Sequence, residues 1–396
     1  MTLKTIISGW RLALYCLATG LSVASVVYHQ SMTTLIADSF NLPSGSLWEL
    51  SMATQFGYGT GLILGLPLGD MIAPRRLIPA TMIALGFLLV LIGFAPSFWL
   101  MVTLCFLAGL LSIGGQLLLA YSAKALASEQ RSQVVGGLLT SLFAGLLLAR
   151  VLAGWGGEYI GWRGIYLVVG VLTLLTGLGL CRSIGNVEQV THLGYGQVLK
   201  QQRALWREYS ELRHLALAAA CFFAASNGIW ANLSSLIHSI LHWNAGQIGL
   251  LAFTSLATLR AAWFSQHLQR WIEWHNVIIL LAILLSLASL AGMLNGISVI
   301  ILLIFLTILD FCVRAVQAIA QSRVLNIDAA AASRLNSLFM TIFFFGAALG
   351  SWLGDISILH LGWNGMFLFT VVCVVAGVFF LFWRNPALRL IRINRS

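Results

Sequence analysis

Gly161-Trp162-Arg163-Gly164-Ile165-Tyr166-Leu167 and Gly362-Trp363-Asn364-Gly365-Met366-Phe367-Leu368 are the two stretches whose comparison decides the fold. They share Gly, Trp, Gly and Leu at matching places and lie 201 residues apart. At that same offset Gly145 meets Gly346, Leu152 meets Leu353 and Gln116 meets Gln317. So many matches without a gap point to an internal duplication, the mark of an architecture built from repeated units.

Each copy is filled with apolar residues. The 396-residue chain is 59% hydrophobic and 9% charged, whereas soluble domains carry ~25% charged residues. Apolar runs of roughly 20 residues, enough to cross a hydrocarbon layer of ~30 Å, recur from end to end. A cleavable leader would account for one such run only, and residues 1–9 show no small-residue cleavage site after a short apolar core. Broken at charged or Pro/Gly-containing interruptions, the sequence predicts helices at 10–36, 47–70, 77–95, 98–126, 132–156 and 163–182. A second set follows at 212–238, 245–268, 276–294, 298–324, 334–357 and 363–383. The first run reads as a span with an outer extension.

The expected fold is therefore all-α and integral to the membrane, with twelve transmembrane helices in two pseudo-symmetric six-helix bundles. The bundles cover residues 1–183 and 212–396, the second with a short basic tail. Residues 184–211 form a cytoplasmic linker that is partly helical near 198–212. Two parallel repeats related by an axis along the membrane normal are an architecture of transporters that rock one half against the other around a central site.

The net charge of +10 would suggest a nucleic-acid partner in a soluble protein. Here the basic residues sit in the short breaks between apolar runs, where they set topology instead. With the N-terminus inside, every Lys and Arg falls on the inner side except Arg163 outside and Arg150, Arg260 and Arg314 within spans. Both termini are accordingly expected in the cytoplasm, in a multi-pass protein of a bacterial inner (plasma) membrane. The six cysteines lie in apolar runs without Cys-x-x-Cys spacing and read as small buried hydrophobes. The eight histidines show no metal-ligand spacing, so no metal site is expected. No phosphate-cradling Gly-x4-Gly-Lys loop is present. Neither an enzyme nor a bound cofactor is expected; energy must come from a gradient.

The tenth predicted helix carries the most informative polar pattern. At 100° per residue, Asp310, Arg314, Gln317 and Gln321 fall on one stripe, costly in lipid unless it faces a partner helix or a watery cavity. Asp310 is the one acidic residue near the middle of a predicted span. It reads either as a proton-coupling or substrate-contacting group, or as half of an i,i+4 pair with Arg314 that neutralises itself. Gln116, the repeat mate of Gln317, stands one turn from Ser112; the two either hydrogen-bond a polar substrate or fasten neighbouring helices. Asn227, Trp230 and Ser234 share a face of the seventh helix, where Trp230 offers a flat surface to an aromatic or sugar substrate or simply packs. Arg150 and Arg260 are intramembrane cations that could meet an anionic substrate group, Arg150 alternatively snorkelling toward the outer end.

Between the second and third helices stands Leu66-Pro67-Leu68-Gly69-Asp70-Met71-Ile72-Ala73-Pro74-Arg75-Arg76. It resembles the Gly-x-Leu-x-Asp-Arg-x-Gly-Arg-Arg loop of the major facilitator superfamily, with Gly65 one position early and Ala73 in place of the second glycine. The fifth helix has Gly136, Gly145, Ala149-Arg150 and Ala153-Gly154, similar to the antiporter spacing Gly-x8-Gly-x3-Gly-Pro-x2-Gly-Gly, with Ala149-Arg150 replacing Gly-Pro. Tyr28-His29-Gln30, Thr54-Gln55-Phe56-Gly57-Tyr58-Gly59, Leu309-Asp310 with Gln321, and Ser333-Arg334-Leu335-Asn336 resemble a bacterial branch described as arabinose-efflux-like or drug/proton antiporter-like.

What the resemblance implies is a secondary transporter of a small molecule, with helices one, four, seven and ten around a central cavity and alternating access to it. It adds Gln55 to the candidate substrate contacts. It also makes Asp70, with Arg75, Arg76 and Arg334, a cytoplasmic gate near the start of the eleventh helix; Arg75 and Arg76 read equally as topology signals. The activity expected is proton-coupled efflux of drug-like compounds, sugars or metabolites. The alternatives are an uptake symporter or uniporter, favoured by the altered fifth-helix spacing, and a non-transporting sensor or scaffold. The expected partners are the substrate, protons and the lipid bilayer, with the protein acting as a monomer.

Overall fold

The computed structural model describes residues 8–42, 47–126, 128–185, 194–328 and 331–383, with the backbone alone at Asp70, Ser128, Glu129 and Ser132. No strand occurs among the described residues. The expected basic tail lies outside them, as does most of the linker before Gly194.

The first span, α1, is Gly9–Ala24, followed by a 3₁₀ turn at Tyr28–Ser31 and a short helix at Thr33–Ser39. The sequence predicted one run over 10–36; the structure interrupts it where Ser25, His29, Gln30 and Ser31 cluster. Next come α2 (Trp48–Gly65), a single turn at Leu68–Met71, and α3 (Pro74–Gly93), which starts with proline in its first turn, where a missing N–H costs nothing. The fourth span, α4, covers Phe98–Ala125 and is broken between Leu111 and Gly114. Then α5 (128–160) and α6 (162–183) are two helices joined at Gly161, where the chain folds back; the φ of 71° there needs a residue without a Cβ.

The second half repeats this plan. After a linker helix at Tyr195–Glu208 come α7 (Ser210–Leu241), α8 (Ala245–Leu268, 3₁₀ over Leu251–Ala257), α9 (Trp274–Leu294) and α10 (Val299–Leu325). Last are α11 (332–361) and α12 (363–382), which turn at Gly362 with φ 54°. The two turning glycines are the repeat mates read from the sequence. Helix starts keep the same register: Gly9 and Ser210, and Phe98 and Val299, are each 201 residues apart.

Eight described segments are long and apolar enough to cross a membrane, two of them being the paired helices α5–α6 and α11–α12. The remaining spans, α1 and α2, fall short for a visible reason: α1 is interrupted, and α2 is diluted by Glu49, Ser51, Thr54 and Gln55. Large apolar side chains such as Phe87, Trp99, Leu175, Leu287 and Ile300 lie exposed on the helices, as befits a surface whose solvent is lipid. Cys181 is exposed too, while Cys105, Cys312 and Cys373 are buried as expected.

The chain forms two compact units. One comprises Met1–Gln197 and Leu241–Ala252, the other Val198–Ile240 and Phe253–Ser396. Glycines set the close approaches within each. In the first unit a Cβ on Gly145 would meet Gly20 O at 2.5 Å, and one on Gly109 would run into Thr54 O. In the second, a Cβ on Gly346 would meet the Ala220 side chain at 2.7 Å, and Gly350 lies against the Ala224 backbone. Such small-residue seams replace the hydrophobic effect, which lipid does not supply between helices.

Candidate functional site

Asp310 sits in the middle of α10, 6% exposed, and its carboxylate is surrounded by donors from α7 and α8. Ser226 Oγ donates to Oδ1 at 3.1 Å and Trp230 Nε1 donates to the same oxygen at 3.0 Å. Ser255 Oγ, from the 3₁₀ stretch of α8, donates to Oδ2 in a short contact. Ser226 and Trp230 are four apart on α7, one helical turn, so both reach the same side. A carboxylate taken into this setting is costly unless several donors satisfy it, and three are in place.

Arg314, one turn along α10, faces other partners. Its Nη1 donates to Gln317 Oε1 at 2.8 Å, and the guanidinium lies over the Phe223 ring, 5.6 Å from the centroid. Phe223 in turn stacks on Phe343 at 4.1 Å between centroids. Gln317 Nε2 reaches Met340 Sδ at 3.8 Å, and Gln321 Nε2 donates to Asn336 Oδ1 at 2.8 Å. The predicted stripe thus exists as a line of polar contacts toward α7, α8 and α11.

Other predicted residues go elsewhere. Asn227 donates from Nδ2 to Ala347 O at 2.9 Å and Ser351 Oγ at 2.8 Å, fastening α7 to α11. Ser112 pairs with Ser25 at 2.6 Å between hydroxyls and accepts at its carbonyl from Ser22 Oγ at 2.5 Å, tying the α4 break to α1. Gln116 donates to Tyr58 OH at 3.4 Å, and Gln55 is buried on α2. Arg150 Nε donates to Gln30 Oε1 at 2.9 Å, while Arg260 is exposed at the start of the regular part of α8.

Of the gate residues, Asp70 falls in the turn Leu68–Met71, and its side chain lies outside what the structure describes. Arg75 and Arg76 are exposed in the first turn of α3. Arg334, in the first turn of α11, donates from Nη1 to Gln201 Oε1 on the linker helix.

Sequence reasoning missed Ser226 and Ser255, because a hydroxyl on an apolar helix carries no pattern of its own. It also missed Glu158, whose carboxylate accepts from Ala245 N at 2.7 Å and so caps the start of α8 beside the Asn244–Gln247 capping box. The repeat offset was the available signal for the serines. Ser226, Trp230, Ser255 and Asp310 are the mates of Ser25, His29, Thr54 and Gly109.

An all-helical membrane body with a satisfied carboxylate inside it, built twice over, is that of a multi-pass transporter. The model of the Major Facilitator Superfamily matches residues 12–332, and the chain belongs to that family. It is 32% identical over 357 residues, 90% of each chain, to the uncharacterized transporter YgaY of Escherichia coli O157:H7. To the probable transporter SCO4007 of Streptomyces coelicolor it is 26% identical over 387 residues, covering 96% of this chain and 87% of that one.

Among solved structures, a point mutant of the nucleoside transporter NupG aligns with a TM-score of 0.72 at 11% identity, covering 94% of this chain and 100% of that one. A bacterial homolog of the human lysosomal transporter Spinster, inward-facing and unoccupied, gives 0.70 at 14% identity, covering 94% of both. At these identities the likeness shows the fold.

Proposed function

We propose that this protein is a proton-coupled exporter of a small organic molecule across a bacterial inner membrane, with Asp310 as the residue that takes up and gives up the proton. The observation that carries this reading is the carboxylate in the middle of α10, held by Ser226, Trp230 and Ser255. The donors differ in what protonation does to them. An indole N–H only donates, so Trp230 keeps its bond to Oδ1 in either state. A hydroxyl rotates, so a proton on Oδ2 reverses the Ser255 bond, the acid donating and the serine accepting. Proton loading thereby changes the bond made by the 3₁₀ stretch of α8 and releases the Ser255 hydrogen to seek another acceptor.

In the same reading Arg314, Gln317 and Gln321 on α10 line the substrate path with Gln116 and Gln55. Asp70, Arg75, Arg76 and Arg334 form the inner gate, and the protein works as a monomer with both termini in the cytoplasm. A second reading, uptake or facilitated movement, is favoured by Arg150, which stands where the antiporter spacing has proline.

Everted vesicles test both. Compounds that raise the melting temperature of the purified protein are added under an imposed proton gradient. Uptake into the vesicles that collapses with the gradient and is lost in Asp310→Asn supports coupled export. Undiminished flux of that variant at all external pH values removes Asp310 from coupling, and flux indifferent to the gradient supports the second reading.

A further inference from the structure

His29 is the buried titratable group that the Asp310 reading does not use. It lies in the 3₁₀ turn that interrupts α1 and is 2% exposed, yet neither ring nitrogen meets a hydrogen-bond partner among the described residues. An imidazole left this way is desolvated without compensation, which a protein tolerates where the group has a task. Its surroundings are cationic and polar. The Arg150 guanidinium lies close enough for its charge to act on the ring. Arg150 is anchored by neutral Gln30, whose Nε2 in turn reaches Ser51 Oγ at 3.5 Å. Arg150 stands eleven residues before the Gly161 turn, about 16 Å along the helix at 1.5 Å per residue.

The repeat shows what this pocket lacks. His29 is the mate of Trp230, the indole that donates to Asp310 Oδ1. The mate of Asp310 itself is Gly109, where α2 packs directly against α4. The first unit therefore keeps a ring nitrogen where its twin serves a carboxylate, but has no carboxylate of its own there, and it adds a cation, Arg150, where the twin has Ser351.

We infer that His29 and Arg150 bind the carboxylate of a small organic anion, which supplies in the first unit the charge that Asp310 supplies in the second. The guanidinium provides charge-assisted donors and the imidazole N–H a further one, with Gln30 fixing the orientation of Arg150. This site stands apart from the coupling reading and does not depend on it.

The test is equilibrium binding of benzoate to the full-length protein in nanodiscs, with benzylamine as the charge-reversed counterpart. Benzoate is expected to bind saturably and benzylamine not to. His29→Gln and Arg150→Gln should each weaken benzoate roughly tenfold or more, the equivalent of one charge-assisted bond. Arg150→Lys should retain more affinity than Arg150→Gln and keeps the test open should the glutamine variant fail to fold. In isotope-labelled imidazole spectra, the resonance missing from His29→Gln should be the one that benzoate moves. Benzoate binding no tighter than benzylamine, or unchanged in both His29→Gln and Arg150→Lys, overturns the inference.

Discussion

The two halves of the chain start from one plan and part around one cluster of equivalent positions. In the second half Ser226, Trp230 and Ser255 enclose Asp310; in the first, the equivalent Ser25, Thr54 and Gly109 have closed ranks around nothing acidic. Ser25 turns to Ser22 O at 2.7 Å and to Ser112, and Thr54 bonds back to Leu50 O at 2.9 Å on its own helix. The cause lies in the small residues. Gly57, Gly61 and Gly109 let α2 and α4 touch backbone to backbone, with a Cβ on Gly57 running into Phe106 O and one on Gly61 into Leu110 O. Their mates Thr258, Ala262 and Asp310 have side chains, so α8 and α10 stand off and leave room for a carboxylate. At these positions one half is packed backbone to backbone, and the other holds a satisfied carboxylate.

The largest effect should come from forcing the first half toward the second. Gly109→Asp places a side chain and a charge against Thr54 O; overpacking alone costs ~1–3 kcal/mol, and the unpaired charge adds several more. Thermal unfolding of the purified variant should show severe loss or no folded protein, and a wild-type melting point would break the comparison. Next is Trp230→Phe, which removes a donor from a buried carboxylate and should cost about 2 kcal/mol. The same change made in Asp310→Asn should cost less, and a thermodynamic cycle of the four proteins measures the difference. Equal losses in both backgrounds would show that Trp230 acts only by packing.

Ser255→Ala should then leave the unfolding free energy within about 1 kcal/mol of wild type while slowing gradient-driven flux, because the reversible bond to Oδ2 is gone. Unchanged flux would place the response to the proton elsewhere. Smallest is Glu158→Gln, which keeps an acceptor for Ala245 N and removes only the charge at the start of α8. That should cost ~0.3–1 kcal/mol and fade in high salt. A salt-independent loss would mean the carboxylate does more than cap.

Much of this architecture was legible beforehand, because bilayer thickness and the demand for internally satisfied backbone leave few choices to an apolar run. The 201-residue offset located the turning glycines, Gly161 and Gly362, before either was seen to adopt positive φ. Asp310 stood out because it alone put a carboxylate at mid-span. Its partners did not, since a hydroxyl can bond back to its own helix, as Thr307 does to Leu303 O at 2.7 Å, or reach across to another, as Ser226 does. Only packing decides between the two. The breaks in α4 and α8 were likewise hidden, because an interrupted apolar run keeps the composition of an intact one; only the first run was read as a span with an extension.

α8 bears on motion as well as on chemistry. Its N-terminal part, through Ala252, belongs to one compact unit, and from Phe253 onward it belongs to the other; the change of membership falls within the 3₁₀ stretch Leu251–Ala257. Rewinding those seven residues to α geometry would draw the rod in by roughly 3.5 Å and rotate one end against the other by roughly 140°, given the two rises and turns per residue. A helix with such a thread between its ends has the pitch of a screw that changes along its length, and Ser255, which donates to Asp310 Oδ2, is set in that thread.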